Sequence, residues 1–112
     1  MIQRQFPVTV TPLVVASVDT NPIPVVTAQA GLIVKVWGFI LTGGTGFTVK
    51  DGTTALSGVI ATAQPIVAPH QLHAELPGRH VALFESTIGG TVNIVPAAAG
   101  LNGVVWWSQD AG

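Results

Sequence analysis

Residues 31–60 read GLIVKVWGFILTGGTGFTVKDGTTALSGVI. This stretch supplies a long strand, a glycine-rich turn, a second strand, an Asp-Gly turn and a returning strand. Leu32, Val34, Val36 and Ile40 share one parity, with Gly38 among them, while Ile33, Lys35, Trp37, Phe39 and Leu41 share the other. A strand half-covered by a core carries more polar residues on its outer side than either set does. Both faces of this strand are therefore expected to have a partner, from elsewhere in the chain or from another subunit.

Working outward, 112 residues make one domain with one core. The 13 Gly and 8 Pro punctuate Val-, Ile- and Thr-rich segments, and apolar residues reach 48% in alternating runs, a core-forming pattern of strands rather than low-complexity disorder. Only 8% of residues are charged, against about 25% in a typical soluble domain. Arg4, Lys35, Lys50 and Arg79 face Asp19, Asp51, Glu75, Glu85 and Asp110, for a net charge of -1. That leaves too few cations for binding nucleic acid through many phosphates. A surface so poor in charge is expected to be covered by self-association or by a larger assembly.

Cysteine is absent, which excludes disulfides and thiolate metal sites. The start, MIQRQFPV, lacks the apolar core of a signal peptide. The charge-free tracts 52–74 and 86–109 are interrupted by Thr, Ser, Gln, Asn, Pro and Gly, unlike a membrane-spanning helix.

Before the central stretch, residues 1–18 are read as an N-terminal arm and edge strand, and residues 19–112 as the body. Pro7 and Pro12 lack the N–H that a central ladder requires, while Val8, Val10, Leu13 and Val15 favour extended chain. Asp19-Thr20-Asn21-Pro22 is a turn. Gly43-Gly44-Thr45-Gly46 is not a phosphate-gripping loop, since no Lys-Ser/Thr pair and no helix follow it. Asp51-Gly52 is a hairpin signal, and Thr53-Thr54-Ala55 predicts a loop longer than two residues before a strand over 56–62. Further strands are expected over 71–76, 80–85, 91–95 and 101–108, with an irregular extended connection or short edge strand at 65–69. In the last, LNGVVWWS, Val104 and Trp106 face opposite to Val105 and Trp107, so one tryptophan enters a core and the other caps it or meets a neighbour. The pattern predicts an all-β fold: a single β-sandwich, jelly-roll-like, of about eight strands with an extended N-terminal arm.

Candidate chemistry is thin. His70, His73 and His80, with Glu75 or Glu85, form no zinc motif, and His70 and His73 fall on opposite faces of a regular strand. Ser86 lies in Glu-Ser-Thr-Ile-Gly rather than in a nucleophile elbow. Glu75 and Glu85 carry no specificity as a glycosidase pair. No enzymatic activity, metal or other cofactor is expected. An aromatic platform for sugar is a competing reading of Trp37, Trp106 and Trp107, with Asn102, Gln109 or Asp110 supplying hydrogen bonds.

The segments PIPVVTAQAGLIVKVWGFIL, FTVKDGTTALSGVI, HVALFESTIGGTVNIV and LNGVVWWSQD, in this order over residues 23–109, resemble small β-rich virion structural proteins of tailed bacteriophages and prophages. The resemblance implies a noncatalytic virion protein: a head decoration or cement protein on the outer capsid surface, assembled in the host cytoplasm. Tail, collar or fibre components are the alternative. Partners implied are further copies of the chain, in a homotrimer, and the major capsid protein or another virion structural protein, without nucleic acid or membrane. The expected contact residues are Ile2, Phe6, Val8, Val10, Leu13 and Val15 in the arm, with strand addition to a neighbour, and Trp37, Phe39, Trp106 and Trp107 in the body.

Overall fold

The computed structural model describes residues 10–62, 66–68 and 82–111. Two five-stranded antiparallel sheets pack face to face as an open sandwich, not closed into a barrel. The first sheet contains β1 (Thr11–Ala16), β3 (Leu32–Thr42), β7 (Ile66–Ala68), β8 (Phe84–Glu85) and β10 (Asn102–Ala111). Its order is β1-β10-β3-β7, with β8 also on β3. The second contains β2 (Ile23–Pro24), β4 (Gly46–Asp51), β5 (Thr54–Ala55), β6 (Ile60–Ala61) and β9 (Val92–Pro96), ordered β2-β9-β4-β5 with β6 also on β4.

Between the sheets lie Val15, Val34, Val36, Phe39, Leu41 and Val105 from the first, and Val25, Phe47, Val49, Val92 and Ile94 from the second or its flanks, all buried. Phe39 and Phe47 cross the gap edge to face, with centroids 5.5 Å apart and planes at 86°, the arrangement the ring quadrupoles favour.

The central strand does not keep one parity. Trp106 pairs with Gly38 and Trp107 with Val36, so Trp37 is an extra residue of β3 inserted opposite their junction. A β-bulge of this kind shifts the alternation by one. Val34 and Val36 face the core before it, and Phe39 and Leu41 after it. The assignment of residues to faces is corrected accordingly: Phe39 and Leu41 share the core face with Val34 and Val36, and Ile33, Lys35, Trp37 and Ile40 fall on the outer side.

Three further expectations are revised. The glycine-rich turn carries the chain from one sheet to the other, because β3 and β4 belong to different sheets. Asp51 pairs with Thr54, so the hairpin loop is the two residues Gly52 and Thr53. Gly52 takes φ +62° at the first loop position, where a turn matching strand twist needs a positive φ. Of the strand expected over 56–62 only Ile60–Ala61, β6, is strand, and the two-residue β5 lies just before that range. The amides of Leu56 and Ser57 both donate to the Val49 carbonyl, and the Ser57 hydroxyl accepts from Val49 N–H, so local bonds replace a continuous ladder. With these short pieces, ten strands stand among the described residues where about eight are expected. The strands expected over 71–76 and at the start of 80–85 lie outside the described residues.

Candidate functional site

The two outer faces of the sandwich differ. On the second sheet, Thr48, Lys50, Asn93 and Val95 alternate with the buried Phe47, Val49, Val92 and Ile94, a largely polar outward pattern. On the first sheet, the residues alternating with the core positions are Pro12, Val14 and Ala16 on β1, Asn102, Val104, Trp106, Ser108 and Asp110 on β10, and Ile33, Lys35, Ile40 and Thr42 on β3, with Val14, Val104, Trp106 and Ile40 forming an apolar middle. Val14 is 78% exposed and Ile40 40% exposed, while Val104 and Trp106 are half-buried. Register aligns them: Val14 is opposite Val104, and Val104 opposite Ile40. Trp106 stands between Gly38 on β3 and Pro12 on β1.

One end of this face is charged. Lys35 Nζ lies 3.4 Å from Asp110 Oδ1, and Glu85 is the cross-strand partner of Lys35 on β8. Asp110 Oδ1 is buried without a hydrogen bond among the described residues, so the Lys35 contact is a charge pair rather than an aligned bond.

The expected contact residues divide sharply. Val15 and Phe39 are buried in the core, and Leu13 and Trp107, both half-buried, pack against it. Trp37 is only 5% exposed yet lies outside the inter-sheet core. Its indole N–H donates to Ser108 Oγ at 2.8 Å, and Ser108 has the outward parity of β10. Val10 is exposed and Trp106 sits on the outer face. Ile2, Phe6 and Val8 lie outside the described residues. Sequence reading missed Val14, Ile40 and Val104. Their signal was the alternation within β1 and β10, obscured on β3 by the bulge.

The residues weighed for chemistry serve the fold where they are described. Ser86 is buried, and its hydroxyl accepts from Val34 N–H at 2.9 Å and donates to the Thr87 carbonyl at 2.8 Å. Asn102 donates to the Gly100 carbonyl, and Gln109 to that of Thr27. Trp37 is too buried to offer a ring face to a sugar. His70, His73, His80 and Glu75 lie outside the described residues.

A scan against protein-family models and searches of curated proteins and of solved structures find no match to this chain.

Proposed function

We propose that this chain is a noncatalytic structural protomer of a tailed-phage virion, a head decoration protein with a jelly-roll body that binds the assembled capsid lattice. The observation that carries the reading is the contrast between the outer faces: Thr48, Lys50 and Asn93 with Val95 on the second sheet, and a contiguous apolar middle of Val14, Val104, Ile40 and Trp106 on the first. A protein with so little charge gains by covering such a face against a neighbour.

The strand order supports the jelly-roll body. Strand pairs β1-β10 and β10-β3 in one sheet are matched by β2-β9 and β9-β4 in the other, as expected when a long hairpin folds over on itself into two Greek keys. That architecture recurs in viral capsid and lectin domains, and on its own it selects no function. The resemblance of residues 23–109 to phage virion proteins supplies the biological setting.

The mechanism is linkage. A protomer that touches two neighbouring shell subunits binds the assembled lattice and not its separated parts, so its binding free energy adds to the stability of the shell. Cryo-electron microscopy of particles from the phage that encodes the chain tests this. Periodic outer-shell density that vanishes when the gene is deleted, with heads that then open at lower temperature, is the expected result. Density confined to the tail would select the tail or fibre reading, and absence of the chain from purified particles would overturn both.

A further inference from the structure

We propose that β1 is a self-association edge, where a second copy of this chain adds its own β1 antiparallel across a two-fold axis through Val14. Three observations converge on it. β1 is the terminal strand of the first sheet, and among the described residues no strand lies beyond it. Its sequence, TPLVVA, holds no charge, and of the devices that guard natural edge strands, charge, proline, a bulge or a covering element, the described residues supply only Pro12. Val14, at its middle, is 78% exposed.

Backbone polarity fixes which groups face outward. Ser17 N–H donates to the Leu101 carbonyl, and β1 continues beside β10 without a register shift. Hydrogen-bonded pairs alternate in an antiparallel ladder, so Thr11, Leu13 and Val15 turn their amides toward β10. Pro12, Val14 and Ala16 turn theirs to the open edge. Pro12 therefore occupies a position where its missing N–H costs the sheet no bond.

A second copy fits this edge better than an arbitrary strand because the pattern is self-complementary. With the axis at Val14, each Val14 N–H meets the other copy's Val14 carbonyl, and each Ala16 N–H meets the other's Pro12 carbonyl. The outward row Ile40, Val104, Val14 then runs without a break into the partner's Val14, Val104, Ile40, doubling the apolar face on one side of a continuous sheet. An isologous contact of this kind closes as a dimer, in place of the trimer that the resemblance implies.

The test is sedimentation equilibrium and light scattering on the full chain across a concentration series, with four proteins. The unaltered chain should approach about twice its 11.5 kDa mass. Val14→Lys sets two ammonium groups across the axis and should weaken the dimer by about tenfold or more. Val18→Lys, at a site 86% exposed and outside β1, should leave it unchanged. Pro12→Val restores the missing donor opposite the Ala16 carbonyl and should tighten the dimer about severalfold. Should Val14→Lys lose the native circular dichroism spectrum, the Pro12→Val comparison decides alone. A monomer at every concentration, a trimer, equal weakening by the two lysines, or a Pro12→Val chain no tighter than the parent overturns the proposal. None of these results bears on lattice binding, which a monomer can perform.

Discussion

Trp37 and Ser108 meet on the outward side of the first sheet, with the indole N–H donating to Ser108 Oγ at 2.8 Å. The bulge makes the meeting possible. It swings an aromatic residue out of the alternation of β3 and leaves it buried outside the inter-sheet core. Trp37→Ala should cost about 3–5 kcal/mol, the usual loss for a large buried aromatic. Ser108→Ala should cost about 1 kcal/mol, a drop of roughly 4–8 °C in midpoint for a domain near this size. A double-mutant cycle with Trp37→Phe, followed by urea unfolding, should give a coupling of about 1 kcal/mol; additivity would show that the bond is idle.

Ser86 links two chain segments far apart in sequence. Its hydroxyl satisfies the Val34 amide in place of a ladder carbonyl. Ser86→Ala strands that buried donor and should destabilise by about 1–3 kcal/mol. Ser86→Thr retains the oxygen and should recover part of the loss. Thermal unfolding followed by circular dichroism measures both, and an unchanged midpoint in the alanine variant would mean that another acceptor reaches Val34.

Gly103 marks a close approach within the first sheet. A methyl built there would lie 1.9 Å from the Ile40 carbonyl oxygen, at φ +144°. Gly103→Ala must push β10 away from β3, the pairing that joins the edge strand to the centre. A loss of about 3 kcal/mol or more is expected. Amide exchange should quicken at Leu13 and Val15 as well as along β10, because β1 is held through that strand; protection lost only at residue 103 itself would contradict this.

The Lys35 and Asp110 pair is partly exposed, at 23% and 33% of the side chains. Solvent screens much of its attraction, and Lys35→Met should change stability by about 1 kcal/mol or less. The effect should shrink between low and high salt. A salt-independent loss above about 2 kcal/mol would instead identify the pair as a buried ionic contact.

How legible the molecule was can be judged residue by residue. Alternation in LIVKVWGFILT and GVVWWS identified the strands and the opposed tryptophans, because side-chain direction along a strand is a local consequence of backbone geometry. Asp51-Gly52 marked a hairpin for the same reason, although the loop length depended on which residues paired. The parity change at Trp37 was hidden. A bulge is visible only against the partner strand, and Trp106 and Trp107 lie about seventy residues away.

Sequence alone determined that this chain is all-β, poor in charge, without disulfides, and punctuated by glycine and proline at its turns. These properties follow from composition and from neighbours in the chain. Only the tertiary structure decided that β1 is an edge, that Val15 and Phe39 belong to the core, and that Val14, Val104 and Ile40 form one row. Each of those is a statement about register between distant strands. Register is set by the summed burial of a whole face and by closure of the sheet around it, which no local segment specifies.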